Sequence, residues 1–282
     1  MAFFGGYAKP GKGVAKDEPE KRAFFRFFEL YFRKFWNIMN ASLIYMFVSL
    51  LPFLLIFALS FLGVNSYFGR NYEAWHYVFG DGYMTIVFSF SFFAALFLNA
   101  YTGAGVASSG MAYVMSAFAG DYHVFVWGDF KDKMKENIKQ ATAVFFIDAA
   151  AMCLIVFSYL IYDSFGGAIS YIKYVVAIIG LLFLLMHIYI YPMLVGYELK
   201  ITQIYKNALL FTMIKLPQNL LIFAVIFGLH FVVLRLTMGL GIKMYAVLAL
   251  VEGFLLYGIS GFLTSFYASR VFNKFFKTKE EE

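Results

Sequence analysis

The sequence has little of what a water-soluble chain needs. Only 14% of its 282 residues are charged, against about 25% in soluble globular domains. It holds a single cysteine, Cys153, and five prolines. One cysteine excludes an intrachain disulfide and argues against a cysteine-based metal site. Disordered, collagen-like and disulfide-scaffold classes are excluded by the same scarcities. What is present is apolar: 62% hydrophobic and 22% aromatic, with 37 Phe and 21 Tyr, and a mean hydropathy of +0.73. A soluble globule of this size has no surface that such a composition could cover. The composition predicts a polytopic membrane protein.

A helical span needs about 20 mostly apolar residues. Six such stretches run roughly from Ser42 to Gly63, Met84 to Tyr101, Ala141 to Tyr162, Tyr171 to Met193, Gln218 to Met238 and Tyr245 to Phe266. The runs are continuous, not alternating segments of about 10, which disfavours a β-barrel. The expected fold is therefore all-α, with Pro52 and Pro192 as candidate kinks. A polar segment (1–21), a six-helix domain (22–270) and a charged tail (271–282) divide the chain. The first apolar run lacks a small-residue cleavage site, so a signal peptide is not expected.

Charge placement predicts orientation. Arg22, Arg33, Lys34 and five other basic residues precede span one; Lys131, Lys133, Lys135 and Lys139 lie between spans two and three. Lys200, Lys206 and Lys215 lie between spans four and five, and Arg270, Lys274, Lys277 and Lys279 follow span six. Only Arg70, Lys173, Arg235 and Lys243 fall in the alternate loops, a split of 19 to 4. The positive-inside rule then puts both termini in the cytoplasm. The net charge of +6 is read as topology, with the lipid bilayer rather than nucleic acid as partner.

Arg22, Arg26, Glu29, Arg33 and Asn37 form one polar stripe on an otherwise aromatic helix, suited to the headgroup plane or to docking on the bundle. In the second basic loop Asp129 is a candidate cap for a helix whose apolar stripe includes Phe130 and Met134, either a surface helix or a partner-docking element. The loop after span one is rich in aromatics. Tyr72, Trp75 and Tyr77 there are candidate sugar contacts, or simply an interfacial belt.

Three stretches carry a resemblance: Glu29 to Leu55, a basic-aromatic lead into a span with Pro; Thr102 to Ala141, small residues before a Trp-Gly-Asp-Phe segment; and Tyr191 to Leu220, with Tyr-Pro, Lys-Asn-Ala and Leu-Pro. Together they resemble the YesL-like family of bacterial membrane proteins, a domain of unknown function. The resemblance implies a setting near carbohydrate uptake in a bacterial plasma membrane; it implies no catalytic residues. The long polar N-terminus and the small residues near Gly103 depart from the family pattern.

The third stretch is also similar to the docking loop of ABC importer permeases, E-A-A-x3-G-x9-I-x-L-P. Glu198, Ile214, Leu216 and Pro217 match, whereas Leu199, Lys200 and Ile204 replace the alanines and glycine. Such a match implies importer permease subunits and a separate cytoplasmic ATPase as partners. The chain has no G-x4-G-K-S/T nucleotide loop, no H-E-x-x-H and no G-x-S-x-G, so neither an enzyme nor a cofactor or metal is expected.

Four ionisable residues fall inside spans: Asp148, His187, His230 and Glu252. At 1.5 Å per residue, Asp148 and His187 share one depth, about 12 Å from the basic side, and His230 and Glu252 a similar depth from the other. Each pair lies on consecutive antiparallel spans, as a proton or substrate path or as mutually satisfied pairs setting helix register. Gly103 with Ala107 and Gly105 with Ser109 permit close helix packing, or mark a broken helix at a cavity. Two functions stand side by side: an accessory subunit of a carbohydrate ABC importer, or a self-sufficient permease using the four buried residues. A scaffold or sensor is the third. Reporter tags at the two ends of the chain should be accessible from the same side of the membrane, and a tag beside Arg70 from the other; protease protection in oriented vesicles checks this.

Overall fold

The computed structural model describes residues 22–240 and 245–276. The polar segment 1–21, Lys243 and the tail positions Lys277 and Lys279 lie outside the described residues. Among the described residues there is helix and connecting turn, and no strand. Among the described residues six helices are long and apolar enough to cross a membrane, which matches the number of apolar runs.

The chain opens with α1 (Ala23–Arg33) and α2 (Phe35–Val48), hinged at Lys34. Phe27 of α1 packs on Phe262 and Phe266, with ring centroids 5.2 and 5.5 Å apart, while Phe24, Phe25, Phe32 and Trp36 remain exposed. The leading helix thus docks on the bundle by one side and keeps aromatics on the other. The hinge is clamped: Arg33 lies 2.5 Å and Lys34 3.2 Å from Asp121, and Lys34 donates to the Tyr122 carbonyl. Partial burial pushes the Asp121 carboxyl up, but hydrogen bonds from Lys34 and Arg33 outweigh it and hold the pKa below the ordinary value.

The first span is α3 (Leu50–Arg70), not a run from Ser42 to Gly63. Pro52 is the reason. A proline ring inside a helix clashes with the carbonyl four residues earlier, here that of Val48, but is tolerated in the first turn, where its missing N–H would be unpaired anyway. The chain therefore breaks at Ser49, and Pro52 begins a helix instead of kinking one. Pro192, by contrast, sits inside a helix that continues to Gly196.

After the short α4 (Tyr72–Phe79) comes α5 (Tyr83–Tyr101), which ends at a second break, residues 102–105. Gly103 and Gly105 have φ of +93° and +59°, backbone that L side chains rarely adopt. The small-residue pairs spanning 103 to 109 are therefore not on one continuous helix. α6 (Val106–Ala119) turns away from α5 and packs into the interior. α7 (Val126–Glu136) lies along it, so closely that a Cβ on Gly110 would stand 2.7 Å from the Phe130 carbonyl. Asp129 does not precede this helix; it sits in the first turn and accepts from the Phe125 N–H at 2.8 Å. The helix starts earlier than expected because that backward bond satisfies a donor at its leading end.

The remaining spans follow: α8 (Ile138–Ser164), α9 (Ile172–Gly196) and, after a short helix α10 (Ile201–Ile214), α11 (Leu216–Leu240). The last span combines α12 (Tyr245–Val251), a π-helical turn over Glu252–Leu256, and α13 (Tyr257–Phe276). It runs ten residues past Phe266, through the proposed tail boundary at 270. Asn219 ties α10 to α11: its amide donates to the Phe211 and Thr212 carbonyls at the end of α10, and its oxygen accepts from Tyr189 at 2.7 Å. Both carbonyls lie in the last turn of α10, and that of Phe211 also accepts from the Lys215 N–H at 3.0 Å.

A methyl group at Gly103 would meet Ser108 Oγ at 2.5 Å and the Tyr191 ring at 2.6 Å on top of the positive φ. Gly103→Ala should therefore cost about 2–4 kcal/mol. Gly228→Ala, with nothing within 4 Å, should cost nothing. Thermal unfolding of the two variants in detergent checks the contrast.

Candidate functional site

Asp148 on α8 and His187 on α9 meet inside the bundle. His187 Nε2 lies 3.3 Å from Asp148 Oδ2, and both residues are buried. Tyr205, on α10, donates to Asp148 Oδ1 at 2.5 Å. Burial, and then the neighbouring Asp148 carboxylate, push the Tyr205 hydroxyl pKa well up, so it stays a donor. His187 Nδ1 stands 2.9 Å from the Phe183 carbonyl. A carbonyl only accepts, so Nδ1 carries a hydrogen and Nε2 is the nitrogen free to gain or lose one. Nε2 and Oδ2 face each other at 3.3 Å, and neither atom makes a hydrogen bond.

The second pair lies between α11 and the last span. His230 Nδ1 is hydrogen-bonded to Glu252 Oε1, and Nε2 lies 3.0 Å from Ser260 Oγ. Both His230 and Glu252 are wholly buried. Glu252 opens the π turn, where the Tyr257 N–H donates to the Glu252 carbonyl one residue beyond α-helical spacing. Such turns occur often at functional sites, because the extra residue re-aims the side chains around it.

Between the pairs runs a seam of neutral polar groups at the two chain breaks. Tyr45 donates to the Asn99 carbonyl at 2.5 Å and lies 3.2 Å from Ser108 Oγ. The Ala104 N–H, freed by the break, donates to Ser108 Oγ at 2.6 Å and Tyr45 Oη at 3.1 Å. Asn99 in turn donates to Ser49 Oγ at 3.2 Å and to Tyr257 Oη at 3.0 Å. Ser42 donates to the Gly253 carbonyl at 2.5 Å, beside the π turn. Breaks in a helix are tolerated at membrane depth only where the freed backbone groups are satisfied in this way.

Two cavities flank this seam. The larger, about 360 Å³, lies among α3, α5 and α8, with Ile56, Leu59, Phe90, Phe145 and Cys153 in its wall. Its lining is apolar except for a few residues, Asp148 among them. The smaller, about 50 Å³, is lined by His187, Tyr191, Tyr45 and Tyr257 among others, and Gly103 borders both.

The other candidates lie apart from this centre. Phe130 is fully buried against α6, so its side chain does not face a partner, and Met134 is half-buried. Glu198, Ile214 and Pro217 are exposed at the two ends of α10 and Leu216 is partly so. The helix forms without the glycine, with Ile204 wholly buried in its place. Trp75 packs on Phe68 with ring centroids 4.8 Å apart and Tyr72 on Tyr83 at 5.1 Å, whereas Tyr77 is 93% exposed. The three do not form one platform. Among the described residues no group of three or more His, Cys, Asp or Glu side chains is placed to hold a metal.

Depth counting pointed to both pairs, but not to Tyr205, Ser260 or the seam. The polar residues inside apolar runs, Ser49, Asn99 and Ser108, were the signal for the seam. Compared with protein families, curated proteins and solved structures, the chain matches none. The YesL-like resemblance rests on its three stretches alone.

Removing His187 alone leaves Asp148 without its counter-group. His187→Ala should cost about 3–5 kcal/mol, and the double replacement Asp148→Leu with His187→Leu markedly less, since a buried pair exchanged for apolar side chains is nearly neutral. Thermal unfolding of the single and double variants measures the difference.

Proposed function

We propose that this protein is a multi-pass permease of a bacterial plasma membrane, with both termini cytoplasmic, which moves an amphipathic solute and handles protons at Asp148–His187 and Glu252–His230. The observation that carries the reading is the position of Asp148. It stands in the wall of a mostly apolar cavity, with His187 Nε2 3.3 Å from its Oδ2. Ionisable residues at membrane depth are costly and usually serve ion or substrate pathways. Discontinuous helices, here broken at Ser49 and at 102–105, are the usual way transporter folds bring polar groups to such a site. The apolar lining suits a hydrophobic body with one polar group, and offers a sugar few hydrogen-bond partners.

A second reading is favoured by α10. This helix leaves Leu209, Leu210, Met213 and Ile214 exposed, and Glu198 and Pro217 are exposed just beyond its ends; Glu198, Ile214 and Pro217 are at the spacing of the importer docking loop. As an accessory subunit of a carbohydrate ABC importer, the chain would use this face to meet a partner subunit.

The purified chain in liposomes should accumulate a fluorescent lipophilic amine under an imposed proton gradient. Asp148→Asn and Glu252→Gln should each lower the rate by about 100-fold, the scale of a lost acid–base group. Unchanged rates in both variants, or no movement by the wild type, would end the permease reading. Importer subunits retained with the chain in mild detergent, and released by Ile214→Asp, would favour the second.

A further inference from the structure

The smaller cavity lies where the two pairs approach one another through the seam. At about 50 Å³ it is too small for a solute and large enough for a few waters, each needing roughly 10–15 Å³ of such space. His187, Tyr191, Tyr101, Tyr45, Ser108 and Tyr257 lie in its wall. Two of these side chains, each more than nine-tenths buried, carry a polar atom with no hydrogen bond: His187 Nε2 and Tyr101 Oη. Buried polar atoms almost always have a partner, protein or water. Two such atoms on residues lining one void of this size indicate water as the missing partner.

The void also touches both halves of the site. On one side is His187 Nε2, the nitrogen whose hydrogen is free to move, because Nδ1 is held by the Phe183 carbonyl. On the other is Tyr257, one π turn beyond Glu252, whose hydroxyl accepts from Asn99 and so keeps its own hydrogen to donate. Glu252 Oε2 is itself buried and without a hydrogen bond.

We propose that this void is a hydrated proton-exchange site linking Asp148–His187 to Glu252–His230, and hence that the proton is the ion coupled to transport. A proton on His187 Nε2 passes to a void water, which releases one of its own hydrogens to the next hydroxyl, and Glu252 Oε2 receives the proton at the far end. Tyr191 and Tyr257 each accept one hydrogen as they give one, so no tyrosinate forms. The vacated pair is refilled from solvent on the opposite side, and one proton enters for each that leaves. Gly103 and Gly105 keep the seam open, since a Cβ at Gly103 would press on the ring of Tyr191 and on Ser108.

The occupancy of the void is independent of the permease reading; only the flux arm of the test rests on it. The full chain with ring-labelled histidine, in lipid vesicles, is studied by solid-state NMR with magnetisation transferred from water. His187 should receive it. Gly261→Ala adds a methyl to the wall of the void, where its nearest neighbour is the flexible end of Met111 at 3.1 Å. That variant should lose the transfer to His187 while keeping the His230 signals, which report an intact fold. Tyr191→Phe keeps the ring under Gly103 and should retain the water, yet slow proton-driven amine movement about tenfold or more. Absence of transfer to His187 in the wild type overturns the hydrated void, whatever the flux. Movement driven by a sodium gradient and indifferent to Tyr191→Phe overturns the proton link. Transfer to His187 with no movement of amine in any variant leaves the void in place and removes the permease reading.

Discussion

The hydrogen bonds that the Ala104 N–H donates to Tyr45 and Ser108 hold together the break between α5 and α6, and much of the interior is arranged around that break. In hydrocarbon an unpaired amide costs several kcal/mol, so the chain can turn there only if another helix supplies an acceptor. Tyr45 does so from α2. Its own hydroxyl hydrogen goes to the Asn99 carbonyl, and the Asn99 amide reaches Ser49 and Tyr257. Four segments are thereby tied at one node, and both chain breaks belong to it. The break sends α6 into the bundle, where α7, α9 and α13 pack around it, and it places Tyr191 and His187 beside a polar void.

The two histidine–carboxylate pairs depend on the same economy. Each is buried in a region with no water to solvate a charge, and each meets the cost by neutralising acid with imidazole. Neither pair is symmetric with the other. Asp148 has a tyrosine donor from outside the spans and a wall on an apolar cavity, while Glu252 sits wholly enclosed at a π turn with Ser260 behind its histidine. A pair open to a cavity and a pair closed within the bundle, joined by neutral hydroxyls, is the arrangement expected of a path with a loading end and a relay end.

Apolar packing supplies most of the remaining cohesion, and much of it is aromatic. Phe97 and Tyr101 of α5 meet Phe223 and Phe227 of α11 edge to face, and Phe27 fastens α1 to α13. Glycine is used where backbones close in. Gly110 admits the Phe130 carbonyl, and Gly253 lies where any Cβ would strike Met46. By contrast α3 is mostly exposed along its length, which is why the larger cavity lies beside it. A helix held on few sides leaves room between itself and α8.

The sequence by itself determined the class, the number of long spans and the pairing of the four buried ionisable residues, because each follows from counting along one chain. Hydrophobic length sets the spans, and rise per residue sets the depth at which a side chain sits. The fate of Pro52 and of the glycines at 103 and 105 was decided by tertiary structure. The break at 102–105 stands because Tyr45 and Ser108 accept from the Ala104 N–H, and those neighbours are invisible to local pattern. The same holds for Phe130, whose apolar stripe was legible while its partner was not. Tyr205 and the orphaned atoms around the void became visible only in three dimensions, since their roles depend on helices far apart in sequence meeting at one depth.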